Sequence, residues 1–114
     1  MNILYLEDHA VFADQVARQF LAQHTVRVVP TVAAARDAFN SRTYDVVLAD
    51  YDVVDGKGDE FVRECRAAQP QLPIVAVSSH ERGNAALVFA GASAVCSKMN
   101  IDRIDQVIRG LKCE

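Results

Sequence analysis

Residues 46–52 are Val46-Val47-Leu48-Ala49-Asp50-Tyr51-Asp52, a short apolar run that ends on an acid. Four consecutive small or branched apolar residues are typical of a strand that is buried on both faces, as in a parallel sheet. An acid directly after such a run lies at the carboxyl end of the strand, where open α/β sheets bind their ligands. We therefore predict that Asp50 is the reactive residue, followed by a glycine-containing loop over residues 53–58.

The rest of the chain repeats this alternation of strand and helix. Four further apolar runs predict strands at residues 2–6, 26–29, 73–77 and 94–97. Apolar residues at helical spacing predict five intervening or following helices, which carry Phe12, Ala35, Phe61, Phe89 and Ile104. Five strand–helix units in strict alternation predict a doubly wound α/β fold, a parallel sheet with helices on both faces joined by right-handed crossovers.

Length and composition predict one compact globular domain over residues 1–114, without a second domain. The chain has 114 residues, of which 51% are hydrophobic and 24% are charged, with a net charge of −3. This charge argues against direct binding of nucleic acid. No apolar run approaches the roughly 20 residues of a membrane span, and the N-terminus lacks the pattern of a signal peptide.

The three cysteines predict a cytoplasmic protein. Cys65, Cys96 and Cys113 are odd in number, widely spaced and outside any Cys-x-x-Cys arrangement. This pattern argues against a disulfide framework or a zinc site and for a reducing compartment. Cys65 and Cys96 occupy apolar positions, so we expect them to pack in the core.

Polar residues follow four of the five predicted strands. Because parallel strands end at one edge of the sheet, the fold collects these side chains whatever their spacing: Glu7 and Asp8, Asp50, Ser78, and Lys98. Three neighbouring carboxylates raise one another's pKa unless a cation is present, and Mg²⁺ with oxygen ligands meets that need. Ser78 and Lys98 supply donors for phosphoryl oxygens. The set predicts a phosphoryl-transfer site whose product is an aspartyl-phosphate.

Each of these residues also has a simpler explanation when it is taken alone. An acidic pair after a strand complements a helix dipole, and a serine in this place forms a turn or caps a helix. Lys98 alone is typical of solvated surface, and Asp50 alone could cap its loop. The joint placement of all five residues favours the site.

With these motifs the chain resembles a response-regulator receiver domain, the phosphoacceptor half of bacterial two-component signalling, over essentially its whole length. The resemblance rests on the acidic pair after the first strand, Glu7-Asp8, and on Asp50 with Gly58 eight residues later. It also rests on Ser78 after the fourth strand, on Gly91-Ala92-Ser93 before the fifth strand and on Lys98 after it. The resemblance implies the flavodoxin-like strand order 2-1-3-4-5.

The resemblance also assigns roles to the residues. Asp50 would accept a phosphoryl group from a sensor histidine kinase or a phosphotransfer protein, as a signalling domain rather than an enzyme. Asp8 and Asp50 would bind Mg²⁺ directly, Glu7 through water, and Asp52 through its backbone carbonyl. Ser78 and Lys98 would hold the phosphoryl oxygens. Phosphorylation would then shift an existing equilibrium and change the binding of a protein partner to the face of strands four and five and their helices.

The chain departs from the family pattern at four places. Val54 stands where the family often has Pro, and Met99 follows Lys98 where Pro often follows, so we expect a trans peptide bond there. Val95 stands where many receivers have an aromatic residue that swings inward, which a branched aliphatic side chain cannot do. Residues 78–91 are one or two residues short, which predicts a short or irregular fourth helix. His80 is expected to be a solvated loop residue.

Two other functions remain open. Residues 50–56 resemble the first motif of haloacid-dehalogenase-type phosphatases, with Asp50 as nucleophile and Asp52 as acid/base. That motif usually lies on the first strand, however, and little chain follows it here. A pseudo-receiver, a binding module that keeps the fold without phosphorylation, is supported by Val95 and the altered loop. The sequence also leaves open whether the domain stands alone or is part of a longer protein.

Overall fold

The computed structural model describes residues 1–112, in which a parallel sheet is flanked by helices on both sides. Cys113 lies outside the described residues. The strands are β1 (Asn2–Leu6), β2 (Thr25–Val29), β3 (Val46–Ala49), β4 (Ile74–Ala76) and β5 (Ala94–Val95). The helices are α1 (Ala10–Phe20), α2 (Val32–Ser41), α3 (Gly58–Ala68), α4 (Glu81–Ala90) and α5 (Ile104–Lys112), with a 3₁₀ helix (Lys98–Arg103) before α5.

The sheet has the predicted order, β2-β1-β3-β4-β5, and every pair of neighbours is parallel. The last residues of the three central strands lie side by side, because Leu6 pairs with Ala49 and Ala49 pairs with Ala76. The prediction of a doubly wound α/β fold is confirmed. All four residues of β3 are completely buried, as the apolar run before Asp50 predicted.

Each face of the sheet has its own hydrophobic core. Side chains of β1 alternate between the two, since Leu4 and Leu6 pack with residues of α2, α3 and α4, while Ile3 and Tyr5 pack with residues of α1 and α5. Cys65 and Cys96 are buried, one in each core, and neither forms a disulfide. In the described residues, no helix combines the length and apolar character that crossing a bilayer requires.

The segment after Asp50 is more regular than the predicted loop. Two short strands, Asp52–Val53 and Gly56–Lys57, pair antiparallel into a hairpin. Gly56 at its turn has φ +159°, a value that a side chain disfavours. We call residues 52–57 the acceptor hairpin.

Both C-terminal predictions need correction. The fourth helix is a regular helix of ten residues rather than short or irregular, because His80 caps its start by accepting a hydrogen bond from Gly83 N, and Gly91 ends it with φ +127°. The sequence predicts that the last helix begins near Asn100, whereas residues 98–103 form the 3₁₀ helix and α5 begins at Ile104. The peptide bond after Lys98 is trans, as predicted.

The acceptor hairpin is fastened to the start of α2 by one carboxylate. Asp55 Oδ1 accepts a hydrogen bond from Val32 N at 2.7 Å, and Asp55 Oδ2 accepts one from Ala33 N at 3.1 Å. These two bonds lower the pKa of Asp55 below its ordinary value. A residue of the hairpin therefore supplies a cap to a helix more than 20 residues earlier in the chain.

Asp55→Ala is expected to destabilise the domain at neutral pH and much less in acid. The pKa of Asp55 is lowered in the folded state, so its stabilising effect is present above its unfolded pKa of about 4 and is lost as pH falls through the folded value. Urea unfolding of wild type and Asp55→Ala at pH 7 and pH 3 measures this. Asp37→Ala, an exposed acid of α2, is the control. A difference in urea midpoint between wild type and Asp55→Ala that is larger at pH 3 than at pH 7 would contradict the prediction.

Candidate functional site

The carboxyl edge of the sheet fixes the positions of the acids. Asp50 N donates to Leu6 O at 3.1 Å and Glu7 N donates to Val29 O at 3.0 Å, so the ladder continues one residue beyond the strands. One carboxylate oxygen from each of Glu7, Asp8 and Asp50 lies within 4.8 Å of the others. Glu7 is 1% exposed and Asp50 5% exposed, which makes this a largely buried cluster of three acids.

Lys98 supplies a positive charge to this cluster. Its Nζ lies 2.8 Å from Glu7 Oε1 and 2.9 Å from Asp50 Oδ2, and it also lies 5.1 Å from the centre of the Phe12 ring. Burial disfavours the ammonium, but the contacts with Glu7 and then Asp50 outweigh it and raise the pKa of Lys98. Lys98 is therefore charged at neutral pH and links the end of β5 to the ends of β1 and β3.

The two carboxylate oxygens of Glu7 have different surroundings. Oε2 accepts a hydrogen bond from His9 N at 3.1 Å. Oε1 is completely buried and faces the ammonium of Lys98, with Nζ 2.8 Å away. Burial raises the pKa of Glu7, the contact with Lys98 opposes this, and the charge of Asp50 raises it further. A buried carboxyl group beside two more carboxylates fits a hard cation such as Mg²⁺.

Ser78 completes one wall of the same cleft. The cleft has a volume of about 370 Å³ and is lined by every residue predicted for the site, namely Glu7, Asp8, Asp50, Asp52, Ser78 and Lys98. Ser78 is 1% exposed, and its backbone oxygen accepts a hydrogen bond from Lys98 N at 3.2 Å. The structure thus brings together residues that are up to 91 positions apart in the sequence.

The side chain of Asp52, which also lines the cleft, is paired with two basic residues. Its carboxylate forms an ion pair with Lys57 and lies 3.0 Å from His80 Nε2. The hydrogen bond from Lys57, and then that from His80, lower the pKa of Asp52. His80 is half exposed and lies in the loop before α4, as expected from the sequence, and it also caps that helix.

Four residues that line the cleft were not predicted as members of the site: His9, Phe12, Ser79 and His80. His9 caps α1 by accepting a hydrogen bond from Phe12 N at 3.3 Å, and Phe12 lies against Lys98. The position of His9 directly after the acidic pair is a signal that could have marked it. Phe12 was assigned to a helix face by its periodicity, which does not distinguish the core from the rim of a cleft.

The glycine eight residues after Asp50 has a steric reason. Gly58 begins α3 and donates from its backbone N to Tyr51 O at 2.6 Å. A Cβ atom at this position would lie 1.8 Å from the backbone oxygen of Asp50. The first turn of α3 therefore approaches Asp50 as closely as it does because residue 58 has no side chain.

A second groove lies beside the first, between α4 and β5. It has a volume of about 670 Å³, and its lining includes four exposed apolar side chains: Val88, Phe89, Val95 and Met99. Phe89 is 89% exposed and Met99 86% exposed, so the aromatic residue of α4 faces outward.

The doubly wound sheet and the acidic cleft at its carboxyl edge place the protein in the flavodoxin-like class of α/β proteins. The family model for the response regulator receiver domain matches residues 3–109, and the chain therefore belongs to this family of two-component signalling domains. Receiver domains are signalling domains rather than classic enzymes, they bind Mg²⁺ at an acidic pocket, and they interact with histidine kinases and downstream effectors. A comparison with curated proteins found no match.

Solved structures give the same fold. The receiver domain of NtrX from Brucella abortus is 26% identical, with a TM-score of 0.85 and coverage of 98% of this chain and 99% of that one. The receiver domain of Francisella response regulator 1452 is 18% identical, with a TM-score of 0.84 and coverage of 96% and 94%. TrrA from Thermotoga maritima, solved in complex with Mg²⁺-BeF, is 19% identical, with a TM-score of 0.87 and coverage of 96% and 97%.

Proposed function

We propose that this chain is an active phosphoacceptor, in which Asp50 takes a phosphoryl group from the phosphohistidine of a sensor histidine kinase or a phosphotransfer protein. An oxygen of the Asp50 carboxylate attacks phosphorus, and the bond from phosphorus to the histidine nitrogen breaks. The observation that carries the proposal is the position of Asp50, in a cleft between two further carboxylates and a charged lysine.

The other residues of the cleft would hold the metal and the phosphoryl oxygens. Asp8 and Asp50 would bind Mg²⁺ directly, Glu7 through water and Asp52 through its backbone carbonyl, and the ion would neutralise charge on the phosphoryl group. The ammonium of Lys98 and the hydroxyl of Ser78 would each donate to a phosphoryl oxygen. The donor set supports this assignment, because it consists of oxygen ligands and includes three carboxylates with one oxygen of each within 4.8 Å of the others.

The phosphatase alternative needs Asp52 as a proton donor. Its carboxylate is held by Lys57 and His80, which lower its pKa. A carboxylate that remains ionised is a poor general acid at neutral pH. The pseudo-receiver alternative would leave the convergence of the site residues in one cleft without a purpose.

The test of the proposal is the intact mass of the protein after incubation with acetyl phosphate. We expect a gain of one phosphoryl group with Mg²⁺ and none with EDTA. A folded protein that gains no mass would favour the pseudo-receiver. Steady release of phosphate from unrelated phosphate monoesters would instead favour the phosphatase.

We also propose that a protein partner binds the groove between α4 and β5. Its exposed apolar side chains fit a partner that presents apolar side chains of its own. The groove shares Ser79 with the phosphoacceptor cleft, so the two surfaces are contiguous. Rearrangement of Ser78 and Lys98 around a phosphoryl group would then change the shape of the partner surface.

Lys98→Ala is expected to leave Mg²⁺ affinity largely intact and to weaken the response to a phosphoryl group. The ammonium competes with a cation for Glu7 and Asp50, so its loss does not remove a metal ligand. It does remove one charged hydrogen bond to the phosphoryl group, which lowers the affinity for Mg²⁺-BeF₃⁻ by about tenfold or more.

Calorimetric titration with Mg²⁺, and then with BeF₃⁻ in the presence of Mg²⁺, separates the two effects of Lys98→Ala. Lys57→Ala makes the same chemical change at the rim of the cleft and serves as the control. Unchanged binding of BeF₃⁻ by Lys98→Ala would remove this lysine from the proposed site.

A further inference from the structure

The first turn of α4 makes two hydrogen bonds to the backbone of Ser78 through one buried side chain. Asn84 Oδ1 accepts a hydrogen bond from Ser78 N at 2.9 Å, and Asn84 Nδ2 donates one to Ser78 O at 3.2 Å. Asn84 is 7% exposed, and both of its polar atoms are used. Ser78 lies beyond the end of β4, and Asn84 supplies the acceptor for its backbone N–H.

The backbone oxygen of Ser78 also accepts a hydrogen bond from the backbone N–H of Lys98. Lys98 N lies 3.2 Å from Ser78 O, so this oxygen accepts hydrogen bonds from both Lys98 and Asn84. The carboxamide of Asn84 thus fixes the backbone of one proposed phosphoryl-binding residue at the point where it meets the other.

The hydroxyl of Ser78 is left comparatively free by this arrangement. Its hydrogen bond from His80 N is long, at 3.5 Å. Gly83 lies directly against the hydroxyl, because a Cβ atom on residue 83 would lie 2.5 Å from Ser78 Oγ. The helix therefore holds the backbone of Ser78 tightly while the missing side chain of Gly83 leaves room for Oγ.

We infer that Asn84 is a positioning residue for phosphoryl transfer, which fixes the Ser78 backbone so that the hydroxyl is directed at the phosphoryl group on Asp50. This inference rests on the proposed phosphoacceptor function. A serine hydroxyl turns on a single torsion, so its direction depends on the backbone that carries it. Binding energy from the hydroxyl contributes to the reaction only when that direction is correct. Because Asn84 belongs to α4, it also connects Ser78 to the helix beside the partner groove.

Asn84→Leu and Asn84→Ala test the inference. Leucine is close to asparagine in size but forms no hydrogen bond, and alanine is a second variant with high helix propensity. We expect the rate of Mg²⁺-dependent labelling by acetyl phosphate to fall about tenfold in both variants. Asn40→Leu, the same change at an exposed position of α2, is the control. Urea unfolding of each variant shows that the protein labelled is folded.

A double-mutant cycle with Ser78→Ala separates positioning from a purely structural role. If Asn84 acts through the hydroxyl, Asn84→Leu slows the wild-type protein but not the Ser78→Ala protein, whereas its effect on unfolding is similar in both. An equal further slowing in the Ser78→Ala background would overturn the inference. An unchanged labelling rate in a folded Asn84 variant would overturn it as well.

Failure of the inference can be told apart from failure of the proposed function. A wild-type protein that is labelled, beside an Asn84 variant labelled at the same rate, contradicts only the role of Asn84. A folded wild-type protein that takes no label contradicts the proposed function, and the role of Asn84 is then wrong with it.

Discussion

Asp50→Asn is expected to take up no phosphoryl group from acetyl phosphate and to remain fully folded. The carboxamide has almost the shape of the carboxylate, and its oxygen can still accept the hydrogen bond that Tyr51 N now donates to Asp50 Oδ1 at 2.8 Å. The amide is not a nucleophile, so the step that forms the phosphorus–oxygen bond is lost. The substitution removes one of three clustered negative charges but also the contact with Lys98, so stability is expected to stay close to that of the wild type.

Intact mass after labelling and urea unfolding measure the two parts of this result. Asp52→Asn is the matched control, since it changes an acid two residues away that offers only its backbone carbonyl to the proposed site. We expect the control to be labelled. Label on Asp50→Asn equal to that on wild type would place the acceptor elsewhere in the protein.

Gly58→Ala is expected to destabilise the domain by about 3 kcal/mol and to slow labelling about a hundredfold. The new Cβ would lie 1.8 Å from the backbone oxygen of Asp50 and 2.9 Å from its carbonyl carbon. Both contacts are with backbone, so no side-chain rotation relieves them. Either the first turn of α3 or the acceptor residue itself must move.

Gly110→Ala provides the opposite control for the same substitution. Gly110 lies in α5, and a Cβ atom there meets nothing within 4 Å. Alanine is the better helix former, so the control is expected to gain about 0.5–1 kcal/mol. Urea unfolding of both variants gives the comparison. Similar stability changes in the two proteins would show that Gly58 is not a steric requirement.

The part of the structure that could be predicted from sequence is the part set by the sheet. The buried run before Asp50 identified the central strand, and alternation of strand and helix identified the parallel order. Parallel order in turn collects residues such as Glu7 and Lys98 at one edge, whatever their separation in the chain. The convergence of the site residues could therefore be predicted without knowing any contact between residues that are distant in the sequence.

The contacts around the cleft could not be predicted in this way. Asn84 and Asp55 act on backbone groups of other elements, and no periodicity in the sequence marks a side chain that satisfies a distant backbone N–H. The acceptor hairpin pairs only two residues on each side, too few for a strand pattern. Phe89 could not be assigned to the surface from the sequence either. Helix α4 carries apolar residues on all of its faces, and only the packing of the domain decides which of them face solvent.

The shortest strand of the sheet, β5, is held in place in part by the ion pairs of the cleft. β5 has two residues and lies at the edge, with β4 as its only neighbour in the sheet among the described residues. The chain continues from it to Lys98, whose ammonium reaches across to acids that follow β1 and β3. Those ion pairs connect the edge strand to the two central strands β1 and β3. Any reaction that gives Lys98 a new partner therefore also changes the free energy of local unfolding of β5.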